Sequence, residues 1–245
     1  MSIGTRLRRR PARRFSSVLA PAPEARPHEG ETLADRYSRM AHENYVPLPV
    51  DAGLRTLDIA ISGTALLLLS PLMLATAAGV RLDSRGPALY RGLRVGRGGR
   101  VFTMFKFRTL STDAEQRLGP YLGAELTRLT QGEATRAGKV LRASHVDELP
   151  QLLNVLAGDM SIVGPRPIRP AFFERLCEEI PEYWQRLVVP PGITGFAQLR
   201  ITREMTWAEK LSHDLEYIAD RSVRLYLRVV LETLAAIPKR FREAR

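Results

Sequence analysis

Apolar and polar residues segregate along this chain. Residues Leu57 to Val80 form one long apolar run, LDIAISGTALLLLSPLMLATAAGV, with Asp58 its only charged residue and Arg55 and Arg81 at its flanks. As one helix its 24 residues would be about 36 Å long, enough for a bilayer core of about 30 Å. So long a run with one charge belongs in lipid more often than in a protein core. Pro71 removes a backbone donor and predicts a bend near the middle, and Ser70 can supply a hydroxyl to a carbonyl left bare. A bent spanning helix and a helical hairpin re-entering one face both fit. Six arginines (81, 85, 91, 94, 97 and 100) crowd the twenty residues after the run, against Arg39 and Arg55 in the twenty before it. That bias marks the C-terminal side as cytoplasmic and leaves the other end open.

Shorter patterns follow. Ala88–Arg91 and Val101–Phe107 have strand composition, and GRGGR over Gly96–Arg100 can turn the chain between them, which predicts a basic β-hairpin near the membrane. Lys106 and Arg108 alternate with Phe105 and Phe107, so the two cations are expected on one face and the rings on the other. Residues 112–140 look helical and then loop-like. Leu149, Leu152, Leu153 and Leu156 fall on one helical face, Pro150 belongs in a first turn, and Gly158 is suited to a left-handed cap. A last helix is expected over residues 222–237, lying on the membrane or packed on the domain. Residues 31–50 read as a linker.

Charge narrows the class. The 245 residues carry a net charge of +11, with a pI near 10.5. The first thirty supply +5 of it, from seven arginines and two glutamates, and read as a basic, Pro-rich tail. That tail is either an anchor for anionic membrane lipid or simply solvated. The single cysteine, Cys177, excludes an internal disulfide framework and a cysteine-built zinc site, and the four histidines show no ligand spacing. There is no internal repeat and no Gly-rich nucleotide fingerprint. Such a balance suits lipid headgroups, nucleotides or phosphorylated substrates.

The densest stretch is LRASHVDELPQLLNVLAGDMSIVGPRPIRP, residues 141–170. With Pro150 in a first turn, Asp147 and Glu148 sit at a helix start, where the dipole and free N–H groups favour carboxylates and attract phosphate. Adjacent residues there point in different directions, so one carboxylate could attack while the other holds a divalent cation. Read alone, the pair is more ordinarily a helix cap. Arg166 in the GPRP turn is a rigid mount for a phosphate-binding guanidinium, or else part of a surface turn.

Together these motifs resemble the monotopic polyprenyl-phosphate phosphoglycosyl transferases, the bacterial sugar transferase family. The matching residues are Ser70-Pro71, Asp83-Ser84, Gly86-Pro87, Arg94-Val95-Gly96, Lys106-Phe107-Arg108-Thr109, Asp147-Glu148-Leu149-Pro150-Gln151, Gly158-Asp159-Met160-Ser161, Gly164-Pro165-Arg166-Pro167 and Pro191-Gly192-Ile193-Thr194-Gly195. Each motif is weak; their order and spacing are specific. Two positions depart from the pattern: Gly92, where Gln is frequent, and Tyr226, where Asp is common.

The resemblance implies an α+β architecture. It comprises a basic tail and linker (1–50), a re-entrant membrane helix broken at Ser70-Pro71 (51–81), and a helix-rich catalytic domain with a small β-hairpin (82–245). Read on this sequence, the chain is a minimal catalytic form on the cytoplasmic face of the bacterial inner membrane. The implied reaction moves a sugar 1-phosphate from a UDP-sugar to polyprenyl (undecaprenyl) phosphate, releasing UMP, in the assembly of exopolysaccharide, capsule, O-antigen or glycoprotein glycans. Asp147 would be the nucleophile, forming an aspartyl-phosphosugar. Glu148 would hold Mg²⁺; Lys106, Arg108, Arg142 and Arg166 would hold phosphate; Asp159 is a less secure participant. The expected partners are these substrates and anionic lipid, without nucleic acid, and self-association stays open. The competing reading is a non-catalytic basic protein binding at a membrane. An aspartyl-phosphate phosphatase would require a second Asp two residues after the nucleophile, and position 149 is Leu.

Overall fold

In the computed structural model, residues 33–43, 47–112, 114, 129–130, 132–200 and 205–243 are described. The basic tail and most of the helical stretch expected after residue 112 lie outside them. The apolar run sits inside a longer helix, α2 (Pro49–Asp83), preceded by α1 (Leu33–Glu43). Pro49 starts α2 where no backbone donor is needed, and Leu48 N donates to Asp51 Oδ2 at 2.8 Å. The expected break at Ser70-Pro71 is not an interruption: α2 is helical through Pro71. Ser70 Oγ donates to Leu67 O at 2.9 Å. Leu67 O is the carbonyl four residues before the proline, so the hydroxyl takes the place of the missing N–H.

The two ends of α2 are tied to the rest of the protein while its middle is bare. Near the start, Arg221 Nε donates to Asp51 Oδ1 at 2.7 Å. Arg55 donates to the Val155 and Leu156 carbonyls at 2.5 and 2.8 Å. Asp58 is 3% exposed. Its Oδ1 accepts from Ser161 Oγ at 2.9 Å, Ile162 N at 2.8 Å and Tyr226 Oη at 2.7 Å. Near the end, Val80 is buried and Arg108 donates to the Ser84, Arg85 and Pro87 carbonyls at 2.8, 2.7 and 2.8 Å. Between these ends Leu67, Leu68 and Leu74 are all at least 70% exposed.

After α2 the chain forms an antiparallel hairpin of β1 (Leu89–Val95) and β2 (Val101–Phe107), turned by Arg97–Gly99. Then come α3 (Arg136–Ser144), a 3₁₀ turn (Val146–Glu148), α4 (Gln151–Ala157) and β3 (Ser161–Val163). α5 (Pro170–Glu179), a 3₁₀ segment (Pro181–Val188), β4 (Gly192–Thr194), α6 (Phe196–Arg200), α7 (Trp207–Asp220) and α8 (Val223–Glu243) complete the fold. β4 lies parallel to β3. The core gathers Phe102 and Met104 of the hairpin, Leu152 and Val155 of α4, and Phe173, Leu176, Tyr183, Trp184, Tyr217 and Tyr226.

Two expectations change here. Residues 33–43 are a helix and not part of a linker: Tyr37, Met40 and Ala41 join the core, against the hairpin turn and the 181–188 segment. The four-leucine face of α4 divides. Leu152 is buried and Leu149 half-buried, whereas Leu153 and Leu156 are exposed beside α2.

Candidate active site around Asp147

α3 starts where Asp83 Oδ2, at the end of α2, accepts from Ala137 N at 3.1 Å. It stops at His145, whose φ of 57° is the one left-handed non-glycine backbone among the described residues. Such a conformation is uncommon for a residue with a Cβ and turns the chain sharply. The acidic pair follows directly, in the Val146–Glu148 turn. The α-helix proper starts later than the sequence suggests, at Gln151, and ends at Gly158 with φ 89°, the left-handed cap expected there.

The hairpin closes over this turn. Residues at alternate positions share a face, so Tyr90, Gly92 and Arg94 of β1 look the same way as their ladder partners Lys106, Met104 and Phe102 of β2. Met104 and Phe102 are core residues, so this is the inner face. Lys106 is therefore not a cation on a solvated strand: its Nζ meets Glu148 Oε1 at 2.5 Å. Asn154 of α4 fixes the distance between helix and hairpin. Its Oδ1 accepts from Phe105 N at 3.0 Å and its Nδ2 donates to Thr103 O at 2.7 Å. Sequence reasoning missed Asn154; the signal was one amide inside LLNVL.

Arg166 comes from the GPRP turn and approaches Glu148 Oε1 at 3.5 Å while donating to Gln198 Oε1 at 2.9 Å. Its backbone is held from below: the buried Arg186 donates to Arg166 O at 2.9 Å and to Asp214 Oδ2 at 2.8 Å. Arg142, at the end of α3, contributes a positive field at Asp147. The structure thus brings Asp147, Glu148, Lys106, Arg142 and Arg166 together. Arg108 goes elsewhere. It is 5% exposed, and all three of its guanidinium nitrogens face the chain between Val80 and Thr112. Its geometry is that of a cap for α2. Asp159 lies 3.9 Å from Arg100 across an exposed contact.

The two carboxylates differ. Burial raises the Glu148 carboxyl, but Lys106 and then Arg166 outweigh it and hold the group at about 2. For Asp147 burial wins over Lys106, and the neighbouring Glu148 charge adds to it, pushing the carboxyl up to about 6. Among the described residues no donor lies within hydrogen-bond distance of the Asp147 carboxylate, which is 8% exposed. Lys106 is lowered, by burial first, with Glu148 opposing and Arg166 assisting. One acid is locked into ion pairs; the other is buried, unbonded and ionised at neutral pH.

No cluster of three or more His, Cys, Asp or Glu side chains occurs among the described residues. A closed protein cage for a metal is therefore not built there. Two adjacent carboxylates fit Mg²⁺ in a different way, because that ion commonly binds one or two carboxylates together with substrate phosphates and water.

The profile of the bacterial sugar transferase family matches residues 51–240. The chain is 40% identical, over 84% of its length, to a UDP-N-acetylgalactosamine-undecaprenyl-phosphate N-acetylgalactosaminephosphotransferase of Aeromonas hydrophila, and covers 50% of that protein. It is 39% identical, over 78% of its length, to a UDP-glucose:undecaprenyl-phosphate glucose-1-phosphate transferase of Caulobacter vibrioides, and covers 73% of it. An exopolysaccharide production protein of Rhizobium leguminosarum is 39% identical over 74% of the chain and covered over 93% of its own length. The chain thus spans about half of the first relative and most of the other two. From Asp51 onward, with the acidic pair, its two cations and the apolar helix inside the matched region, the chain belongs to the bacterial sugar transferase family.

Proposed function

We propose that the protein transfers a sugar 1-phosphate from a UDP-sugar to polyprenyl phosphate, through a covalent intermediate on Asp147. The observation that carries this reading is the contrast within the pair: a buried, unbonded carboxylate beside one held by Lys106 and Arg166. A nucleophile needs a free lone pair, and phosphoryl transfer needs positioned positive charge more than proton chemistry. In the first step a carboxylate oxygen of Asp147 bonds to the β-phosphorus as the bond to the bridging oxygen breaks, and UMP leaves with that electron pair. In the second, a phosphate oxygen of the lipid attacks the same phosphorus and Asp147 leaves as a carboxylate. Lys106, Arg142 and Arg166 bind phosphate oxygens and orient the donor. Glu148, beside Asp147, would hold Mg²⁺, which when bound neutralises diphosphate charge.

The lipid substrate requires a site at the membrane surface. α2 has a segment of mean hydropathy 1.9 that is almost wholly outside the protein core. Both of its ends contact the domain that carries Asp147, through Asp58 at one end and Arg108 at the other. A helix crossing the bilayer would separate those ends by the membrane, so this double attachment supports a re-entrant segment with both ends on the cytoplasmic face. Exposed Leu153 and Leu156 on α4, and Val223, Leu227, Leu231 and Leu234 along α8, extend the apolar surface. Cysteine labelling on both flanks of α2 tests re-entry; opposite sides would refute it.

For the reaction, membranes containing the protein are incubated with Mg²⁺, undecaprenyl phosphate and a panel of UDP-sugars, and UMP release is measured. Turnover of one UDP-sugar with loss in Asp147→Asn is the expected result. Retained activity in that variant would remove the covalent step, and no turnover with any donor would favour a binding protein.

A further inference from the structure

Beside the loop that carries Arg166 lies a buried ion pair with no part in the scheme above. Arg186, in the Pro181–Val188 segment, and Asp214, on α7, are 6% and 5% exposed. Each guanidinium nitrogen of Arg186 has a partner. Nε and Nη2 donate to Asp214 Oδ2 at 3.1 and 2.8 Å, and Nη1 donates to Tyr183 Oη at 3.1 Å. Nη2 also donates to Arg166 O at 2.9 Å. This last bond leaves the core and takes hold of the backbone of a cation assigned above to phosphate.

The loop is fixed at both flanks by backbone. Gly164 N donates to Thr194 O, Gly192 N to Pro165 O and Val95 N to Ile168 O, each at 2.9 Å. Glycine is needed at the crossing: a Cβ on Gly164 would collide with the Pro190 carbonyl, and one on Gly195 with the Gly164 carbonyl. Between the flanks Pro167 restricts Arg166 to extended backbone, and Arg186 holds the Arg166 carbonyl inward. The Arg166 side chain goes outward, where it is 57% exposed, approaches Glu148 Oε1 at 3.5 Å and donates to Gln198 Oε1 at 2.9 Å. As a device for stability alone the buried pair is a poor choice. Two charges taken out of water recover that cost only with complete hydrogen bonding, and apolar side chains of the same volume often serve as well or better. What apolar side chains cannot supply is a donor aimed at one carbonyl.

We propose that Arg186 and Asp214 are positioning residues for Arg166. Arg186 fixes the Arg166 peptide, and Asp214 holds the Arg186 fork in line and cancels its charge. Without Asp214 the loop would rest on an unpaired buried cation, repelling the guanidinium it presents to phosphate. Phosphoryl transfer depends on where its cations stand, and small displacements of a positioned group are costly. This task rests on the phosphate-binding role proposed above for Arg166, whereas the hydrogen bonds that would perform it do not.

The test uses the full chain in lipid nanodiscs, with melting temperature as the folding control. Arg186→Met together with Asp214→Leu removes both charges and roughly keeps the volume, so the protein should stay folded. Its kcat/KM for the UDP-sugar is expected to fall about tenfold, chiefly through a raised donor KM, because the Arg166 peptide is no longer held. Arg166→Ala alone should lose at least as much, and adding the paired replacement to it should change nothing further. A purely structural pair would leave the kinetics intact wherever the fold survives. Unchanged kinetics in the folded paired variant, or an equal further loss on top of Arg166→Ala, would overturn the proposal. Should the paired variant melt early, Arg186→Lys takes its place in the same cycle: it keeps the charge but lacks the planar fork that reaches Asp214 and Arg166 O together. If wild-type protein turns over no UDP-sugar, the reaction reading fails, and the cycle is read on the affinity for UMP instead. A loss of UMP affinity that runs through Arg166 then upholds the positioning role, and an affinity indifferent to Arg166 or to the pair removes it.

Discussion

Two aspartates are buried in this protein, and their surroundings are opposite. Asp58, in the apolar helix α2, is 3% exposed and its Oδ1 receives three hydrogen bonds, from Ser161, Ile162 and Tyr226. Asp147 is 8% exposed and receives none among the described residues, though cations surround it at longer range. A buried carboxylate is tolerated when its lone pairs are satisfied. Asp58 obeys that rule and serves as the pin between α2 and β3. Asp147 breaks it, which is how a group kept for reaction with a substrate differs from one kept for architecture.

The largest effect should separate the two roles outright. Asp147→Asn is expected to lower UMP release by at least about 10⁴-fold, as for other nucleophile replacements, while its melting temperature does not fall. Asp58→Ala should do the reverse in stability. It strands the Ser161 and Tyr226 hydroxyls and the Ile162 N–H, costing about 3 kcal/mol, read as a lower melting temperature in detergent. A destabilised Asp147→Asn with normal Asp58→Ala would invert the assignment of the two acids.

Acidity tests the same contrast more finely. The Asp147 carboxyl is raised to about 6 in the folded protein from an ordinary value of 3.8, with burial as the main cause. A raised carboxyl favours folding while protonated and opposes it once ionised. In protein free of divalent cation, Asp147→Asn and wild type should therefore be equally stable below about pH 4 and diverge as pH rises through 6. The variant should end roughly 3 kcal/mol more stable at neutral pH. Denaturant unfolding at several pH values measures this, and a constant difference across the range would contradict it. Activity, which needs the ionised carboxylate, should rise through the same interval.

The smallest effects come from single hydrogen bonds. Asn154→Ala leaves Phe105 N–H and Thr103 C=O on the β2 edge without partners and should cost about 2 kcal/mol. It should also lower turnover by letting Lys106 shift from Glu148. Tyr226→Phe removes one of three donors to Asp58 and should cost about 1 kcal/mol with turnover nearly unchanged.

Much of the local structure was legible because local rules decide it. The hairpin follows from strand residues around GRGGR, and β2 spans the expected Val101–Phe107. Gly158 closes α4 because the left-handed cap favours a residue without Cβ. Ser70 meets the carbonyl freed by Pro71 because the two are adjacent on the helix. Where the rules compete, the sequence was silent. Lys106 lies on β2 and Arg108 just past its end, and nothing local says which reaches an acid and which reaches the carbonyls of Ser84, Arg85 and Pro87. The helix at 33–43 has too mixed a pattern to reveal Tyr37, Met40 and Ala41 as core.

By itself, then, the sequence determined that this protein has an apolar helix near an arginine-rich hairpin, an acidic pair before a capped helix, and the family's motifs in order. Those are properties of spacing and side-chain type. Tertiary structure decided what each charge does. Asp58 became a pin because Tyr226 lies 168 positions away in sequence and one hydrogen bond away in space. Among the described residues Asp147 is left unbonded while the hairpin brings Lys106 to Glu148. Ion pairs and burial depend on which distant segments meet, and the protonation and reactivity of a carboxylate follow from that meeting.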